Sequence, residues 1–372
     1  MKDTANHSKC FRFLTELLLA GTEQASRTAA SLGSQDLAEL LDLASSNHVI
    51  MRSFPTLHRL MVESGNARWA ERAADAVEKE QSRIQRAVSF LEPISCALEQ
   101  CGKVIVIKSF DHWPDFGSDI DLYIRDPCMH DPYIDDRRMK AQAAEVAAVM
   151  RGHFKAEVAK RSWGDRLANK WNSIVPGLPE LVEIHVGRLG QTGEQTTIAE
   201  SLLERARTMR LGKYAFLLPA AEDRMIISTL QRMYRHFYIR LCDLVDNARL
   251  LETDTLDYVY LRSLAKSAGL WEGLATYLMI VSDCVKQCRG EGIALPSWLT
   301  SAASFGGGQV RFQSKWLRIP IVPHAARLYA AEWKGLFWNG EIRNTLRLSL
   351  LPGLATVAAL EEALTGSNKG IW

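Results

Sequence analysis

The sequence lacks a strong excess of either charge. Lysine and arginine together number 45, and aspartate and glutamate number 43, so no global field draws the protein onto nucleic acid or an anionic membrane. We therefore do not expect nucleic acid or a membrane as a partner. The sequence also has no apolar run long enough for a membrane span, and the stretch after its polar beginning is too short and interrupted for a signal core. We expect a cytoplasmic protein.

Cysteine does not form a recognisable framework. The seven positions are Cys10, Cys96, Cys101, Cys128, Cys242, Cys284 and Cys288. An odd number with these spacings does not fit a disulfide scaffold. Cys284 and Cys288 lie one helical turn apart, but no matching histidine or cysteine pair completes a zinc site. We interpret the cysteines as buried thiols.

The sequence also has no internal repeat, no low-complexity segment and no Gly-x-x-x-x-Gly-Lys-Ser/Thr phosphate loop. What it does have is 47% hydrophobic residues in 372 positions, enough to bury a full core. Apolar residues recur at helical spacing through residues 1–100. We predict helices there, with Pro55 interrupting before the third apolar set and a long helix from Ala67 ending near Pro93.

The pattern changes at Lys103. Residues 103–107 form a β-branched run typical of a covered strand, and residues 119–124 are its predicted partner. A helix is predicted over 135–152 and a strand over 154–159. A hairpin follows, with arms 170–175 and 180–186 joined by Pro-Gly-Leu-Pro. From residue 220 the helical period returns, in one apolar stripe from Ile226 to Leu244.

These segments predict an α+β fold. It has a small mixed β-sheet core with helices on its faces, flanked by N- and C-terminal helical regions. The predicted divisions are a helical region over 1–100, a catalytic core over 101–219 and a second helical region over 220–372.

Carboxylates gather on two of the predicted strands. Asp119 and Asp121 alternate with apolar residues and so point to the same face, about 6 to 7 Å apart. They repel each other unless a cation lies between them, and a divalent metal is the usual solution. Glu183 adds a third carboxylate on the second hairpin arm. Three carboxylates suit two Mg²⁺ ions, which can bind a nucleotide triphosphate and an attacking hydroxyl together. We predict that Asp119 and Asp121 bind the nucleotide metal, and Asp121 and Glu183 the second.

Three short motifs carry a family resemblance. They are Val-Ile-Lys-Ser at 106–109, Ser-Asp-Ile-Asp-Leu-Tyr-Ile at 118–124 and Leu-Val-Glu-Ile-His-Val at 181–186. This set resembles the nucleotidyltransferase superfamily that includes DNA polymerase β and the aminoglycoside nucleotidyltransferases. More narrowly, it is similar to a bacterial family of uncharacterised nucleotidyltransferases with flanking helical regions. That family's Leu-Arg-x-x-x-Asp-like segment is matched by residues 240–246, and the similarity covers roughly residues 10–255.

The resemblance implies an NTP co-substrate and a phosphate grip after the first strand. Lys108, Ser109 and Ser118 are the residues expected to bind the nucleotide, with Arg232 and Arg235 supplying positive charge from a helix. Because Gly117-Ser118 directly precedes the aspartates, we also interpret it as a turn that positions Asp119. Two departures from the family are evident. Lys108-Ser109 stands where the family has Lys-Gly, and glycine would let backbone amides approach a phosphate closely. The family's arginine before the Asp-x-Asp pair is replaced by Asp115-Phe116.

The sequence therefore supports one main function and two alternatives. The main one is a Mg²⁺-dependent nucleotidyltransferase that acts on a hydroxyl or phosphate of a small molecule, peptide or protein. A catalytically silent nucleotidyltransferase-like module is the first alternative, favoured by the missing glycine. A γ-phosphate transferase ranks last because no kinase loops are present. The base of the nucleotide, the acceptor and the oligomeric state stay open.

Overall fold

The fold is α+β, with many helices and three small sheets, the largest of which is mixed. The computed structural model describes residues 9–29, 32–33, 35–127, 136–253 and 256–357. The first helices are α1 (Lys9–Leu19), α2 (Thr22–Ala29), α3 (Asp36–Ser46), α4 (Ile50–Glu63) and α5 (Ala67–Leu98). The helical prediction for this part of the chain is confirmed.

Two prolines lie inside these helices, so the predicted breaks were wrong. Pro55 falls within α4 and Pro93 within α5. A proline inside a helix removes one N–H donor and costs roughly 3 kcal/mol or more. The apolar neighbours Phe54, Leu57 and Ile94 are fully buried, and each buried large side chain contributes about 1.5 to 3 kcal/mol. Tertiary packing therefore offsets the local penalty.

A five-stranded mixed sheet follows α5. Its strands are β1 (Lys103–Val106), β2 (Ile120–Arg125), β3 (Glu157–Val158), β4 (Lys170–Ile174) and β5 (Val182–Val186), in the spatial order β1-β2-β5-β4-β3. The β2 and β5 strands are parallel, and the other neighbours are antiparallel. The predicted pairing of the first two strands and the hairpin of β4 and β5 are both confirmed.

The elements between these strands differ in detail from the prediction. Helix α6 spans Asp136–Phe154, and α7 spans Trp163–Leu167. The predicted first residue of α6, Asp135, lies outside the described residues. Because α6 runs through Phe154, the strand predicted over 154–159 is reduced to β3. The start of α7 is fixed by Ser162, whose hydroxyl accepts from the Asp165 N–H while the Asp165 carboxylate accepts from the Ser162 N–H.

The second half of the chain is mainly helical but contains two hairpins that the sequence pattern did not reveal. Its elements are α8 (Thr196–Arg205), β6 (Arg207–Leu211), β7 (Tyr214–Leu218), α9 (Ala221–Thr229), β8 (Tyr238–Ile239), α10 (Leu241–Leu251), α11 (Tyr258–Ser267), α12 (Trp271–Arg289), α13 (Ser297–Thr300), β9 (Arg311–Gln313), β10 (Trp316–Arg318), α14 (Ala326–Trp338) and α15 (Ile342–Ser349). The β6 and β7 strands pair with each other, and β10 lies between β8 and β9.

The apolar stripe from Ile226 to Leu244 is not one helix. After α9 the chain forms a π-helical segment from Leu230 to His236, and Phe237 then adopts a left-handed backbone with φ 55°. Strand β8 and helix α10 follow. Widening the helix to a π turn and ending it at a left-handed residue redirects the chain, and such segments often lie at functional sites.

Two apolar cores hold the molecule together. The first combines N-terminal with C-terminal helices, through residues such as Phe13, Phe54 and Tyr277. The second lies between the C-terminal half of α5, the mixed sheet and α6, and includes Leu91 and Ile184. Helix α5 thus belongs to both. The division into regions 1–100, 101–219 and 220–372 stays a prediction. None of the described helices is long and apolar enough to cross a bilayer.

Candidate functional site

The carboxylates meet where β2 and β5 run side by side. The parallel register places Asp121 directly opposite Glu183, so both side chains lie on one face of the sheet. Asp119 immediately precedes β2 and is partly exposed, whereas Asp121 is buried. The structure therefore brings all three predicted carboxylates to the same end of the sheet.

A lysine lies between two of these carboxylates. Lys108 follows β1 in a tight turn with φ 64°, a left-handed conformation that side chains other than glycine adopt infrequently. Its Nζ forms an ion pair with Asp121 and lies 3.3 Å from Oε1 of Glu183. The Asp121 atom in this ion pair, Oδ1, makes no well-formed hydrogen bond. An ammonium thus occupies the position in which the sequence predicted a metal cation.

Glu183 has two further partners. Lys170 Nζ lies 2.7 Å from Oε2, and His185 Nε2 lies 2.8 Å from Oε1. Burial raises the pKa of the Glu183 carboxyl, but the charges of Lys108 and Lys170 outweigh it and hold that pKa well below its usual range. Glu183 is therefore an anion that its neighbours stabilise.

The pKa of Asp121 is shifted in the opposite direction. Burial raises the pKa of its carboxyl well above the usual range, and the charge of Glu183 adds to that rise while Lys108 opposes it. Burial and the charge of Glu183 also raise the pKa of Asp119, against Lys108. Asp121 is therefore the carboxylate whose charge depends most on a nearby cation.

Ser109 positions the strand that carries the carboxylates. Its buried hydroxyl accepts the Asp121 N–H at 2.9 Å and donates to the Asp119 carbonyl at 3.3 Å. The hydroxyl of Ser118 donates to Oδ2 of Asp119, also at 3.3 Å. Both serines were predicted to contact the nucleotide. In the structure they orient the two aspartates through hydrogen bonds.

The two predicted helix arginines lie in buried ion pairs. Arg232 Nε is 2.8 Å from Oδ2 of Asp243. Arg235 pairs with Glu194 and lies 2.8 Å from Oε1 of Glu332, and all three of these side chains are buried. Both terminal nitrogens of Arg235 thus bind partners on another part of the fold, whereas its buried Nε makes no hydrogen bond to any described residue. The structure does not bring it to the carboxylates of the sheet.

A cleft of basic and acidic residues adjoins Lys108. It encloses about 350 Å³ of free space, open solvent included, and its lining includes His112, Arg224, Arg240 and Asp246. His112 and Arg224 carry no local signal, because their position beside Lys108 depends on how α9 and α10 pack against the turn after β1.

A network of buried ion pairs lies beside this cleft. Arg52 on α4 lies 2.9 Å from Asp115 and 2.6 Å from Asp246 on α10. Asp246 also pairs with Nδ1 of His112, and His112 Nε2 is 2.9 Å from Arg240. The first helices, the sheet region and α10 are thus joined through one ionic network beside the site.

Two groups in this area have donor atoms close enough to share a cation. In one, single donor atoms of Asp121, Glu183 and His185 all lie within 4.8 Å of one another. The carboxylate oxygens suit a hard cation such as Mg²⁺, but Oδ1 of Asp121 is held by the ion pair with Lys108. These residues fit a Mg²⁺ ion, provided that the Lys108 ammonium withdraws.

The second group is His112, Cys242 and Asp243. Here both oxygens of Asp243 are already engaged, since Arg232 contacts Oδ2 and Arg240 lies 3.1 Å from Oδ1. A metal would have to compete with two arginines for one carboxylate. This group is therefore better described as part of the ionic network.

Comparison with known protein families, curated proteins and solved structures found no match for this chain.

Proposed function

We propose that this protein is a metal-dependent nucleotidyltransferase. It would move a nucleoside monophosphate from an NTP to a hydroxyl or phosphate of a small-molecule, peptide or protein acceptor and release pyrophosphate. The observation that carries the proposal is the register that sets Asp121 opposite Glu183. The resemblance of the three strand motifs to the nucleotidyltransferase superfamily supports it.

In this proposal the carboxylates hold Mg²⁺. When bound, Mg²⁺ supplies charge neutralisation for the triphosphate and lowers the pKa of the attacking hydroxyl. The acceptor oxygen forms a bond to the α-phosphorus, the bond to the β-phosphate bridging oxygen breaks, and pyrophosphate leaves with that electron pair. The hydroxyl proton passes to water.

The cations that line the cleft beside Lys108 contact the triphosphate at its mouth, because its interior has room for about one water molecule only. Lys108 both contacts the carboxylates and lines that cleft, so an ammonium that the metal ion displaces stays beside the phosphate position. Arg224 and Arg240 line the same cleft, although each also pairs with an aspartate. Arginine and lysine are the usual ligands of phosphate oxygens.

Incubation with each radiolabelled triphosphate and Mg²⁺ tests the proposal. Pyrophosphate release or self-labelling is expected from the native protein. Asp121→Asn should lose this activity and keep its fold, because the change removes one metal-binding charge and little volume. Asp75→Asn is a matched control, since Asp75 is exposed on α5. An unaltered rate of pyrophosphate release in Asp121→Asn would contradict the assignment of Asp121 as a metal ligand.

A second candidate is a silent module that binds a nucleotide or partner protein without turnover. The observation in its favour is the Lys108 ammonium between Asp121 and Glu183, together with a serine in place of the family's glycine. Nucleotide binding without pyrophosphate release, at any Mg²⁺ concentration, would favour this candidate over the enzyme.

A further inference from the structure

Helix α14 carries apolar side chains on two different faces. One face is buried against the rest of the fold, through Leu328 and Leu336. The other face carries Trp333 and Phe337, four residues apart, and both of these side chains are exposed. A helix that is apolar on more than one face is normally covered on each of them. The outer face of α14 therefore lacks a partner that its composition calls for.

Helix α15 repeats this pattern. Leu348 is fully buried, whereas Ile342, Leu346 and Leu350 follow each other at intervals of four residues and are all exposed. Side chains at this interval lie on the same face of a helix. Leu346 alone is 64% exposed, and Trp338 at the end of α14 is 71% exposed. Both helices thus turn an apolar stripe toward the solvent.

The two stripes form one continuous surface. The rings of Trp333 and Phe337 stack with 5.5 Å between their centroids, and those of Phe337 and Trp338 lie 5.7 Å apart. Nε1 of Trp333 donates to the hydroxyl of Ser349 at 2.8 Å, and Ser349 lies on the exposed side of α15. We call this area the hairpin surface, and its members are Trp333, Phe337, Trp338, Ile342, Leu346 and Leu350.

The polar side chains of α15 bind within the chain. Arg347 donates to the backbone carbonyls of Leu167 and Thr192 at 2.7 and 3.1 Å. Asn344 donates to the hydroxyl of Thr196 at 2.8 Å. What α15 offers to a partner is therefore apolar area. This favours another apolar surface over a charged ligand.

The size and shape of the hairpin surface fit a second copy of this chain. The exposed fractions of its six residues leave about 600 Å² uncovered on one protomer. Two copies face to face would bury about 1,200 Å² in total, which reaches the range of specific, stable interfaces. Only residues 339–341 join α14 to α15, so the two helices are antiparallel. Two such hairpins packed through their apolar faces form a four-helix bundle with twofold symmetry.

We propose that the hairpin surface is the interface of a twofold homodimer, in which the α14–α15 hairpins of two copies form a four-helix bundle. Trp338 and Leu346, the most exposed members of the surface, lose the most contact with water on association. The dimer does not depend on the proposed function, because none of the carboxylates belongs to this surface.

Sedimentation velocity of the full chain over a range of concentrations tests the proposal. We expect the native protein to change from monomer to dimer as its concentration rises. Leu346→Lys places an ammonium in the apolar interface on both copies. It should raise the Kd of the dimer by at least about 100-fold, which corresponds to about 2.8 kcal/mol. Val259→Lys is the matched control, since Val259 is 79% exposed on α11, and it should leave the Kd unchanged.

A second variant tests the other helix of the hairpin. Trp338→Ser removes the most exposed aromatic side chain of the surface and should also weaken the dimer. Because both substituted side chains are largely exposed in the monomer, each variant should keep its fold, which circular dichroism checks. A dimer whose Kd is unchanged in both variants would contradict the assignment of this interface.

Other occupants of the hairpin surface give different results. A native chain that stays monomeric at every concentration would overturn the dimer and leave another protein, or residues 358–372, as the occupant. Binding of that monomer to vesicles of phosphatidylcholine and phosphatidylglycerol, lost in Leu346→Lys, would overturn the dimer in favour of a lipid surface.

Discussion

Replacing Lys108 with methionine tests the idea that its ammonium substitutes for a metal cation. Methionine keeps most of the length of the side chain and removes the charge. Asp121 and Glu183 then face each other without the cation between them, although Glu183 retains Lys170. We expect the variant to be less stable than the native protein and to respond more strongly to divalent cations.

The size of the effect follows from the contact distances. With Nζ 3.3 Å from Glu183, the gross attraction is about 5 kcal/mol at an effective dielectric constant of 20. Removing one partner of a buried ion pair costs about 3 to 5 kcal/mol in measured cases. Unfolding a chain of 372 residues has an entropy of about 0.8 kcal/mol/K, so 1 kcal/mol corresponds to about 1.3 °C and we expect Tm to fall by about 4 to 6 °C.

A divalent cation should reverse part of this loss. At one hundred times its Kd a ligand stabilises the folded state by about 2.7 kcal/mol, which is about 3 to 4 °C on the same scale. In the native protein the ion must first displace the Lys108 ammonium. The rise in Tm that the ion causes should therefore be smaller there than in Lys108→Met. Calorimetry of both proteins, with and without Mg²⁺ or Mn²⁺, measures the difference.

The control is Lys140→Met, at an exposed position on α6, which should change neither Tm nor the response to metal. Two results would refute the reasoning. One is a Lys108→Met protein as stable as the native one. The other is a cation-induced shift of equal size in both proteins, since it would mean that Lys108 and the ion do not compete for one position.

Two further predictions concern the buried ionic networks. Asp246→Asn removes one partner of Arg52 and should lower the free energy of unfolding in urea by about 3 to 5 kcal/mol, and a loss below 1 kcal/mol would contradict a structural role. Burial raises the pKa of Glu332 above its ordinary 4.5, and Glu194 adds to this against Arg235. The folded protein therefore keeps the Glu332 carboxyl protonated to a higher pH than the unfolded chain does. Stability consequently falls as pH rises above 4.5. In Glu332→Gln the free energy of unfolding should fall less steeply with pH. An unchanged slope would exclude Glu332 as the cause of the fall.

Much of the sheet could be predicted because its signals are local. The β4 and β5 hairpin follows from alternation on both sides of Pro-Gly-Leu-Pro, and β2 follows from Asp-x-Asp between apolar residues. The break in the stripe after α9 could not be predicted, because a π-helical segment keeps the apolar side chains buried while the left-handed Phe237 redirects the chain.

The candidate site, too, could be predicted from the sequence only in part. Asp119, Asp121 and Glu183 were predicted because strand alternation alone assigns their face. The roles of the cations were not predictable. Lys108 turns toward Asp121 because of its left-handed backbone, and Arg235 turns toward Glu194 and Glu332, far along the chain.

The sequence by itself determined the α+β class, the main strands of the mixed sheet and which of those strands carry the carboxylates, because these properties follow from periods of a few residues. Only the tertiary structure decided that Asp121 stands opposite Glu183, that an ammonium lies between them, and that Arg52 joins Asp115 and Asp246 beside the site. Each of these depends on segments that are distant in the chain and meet only when α4, α5, α10 and the sheet pack together. Burial then sets the charges, since a carboxylate removed from water must find a cation or take up a proton.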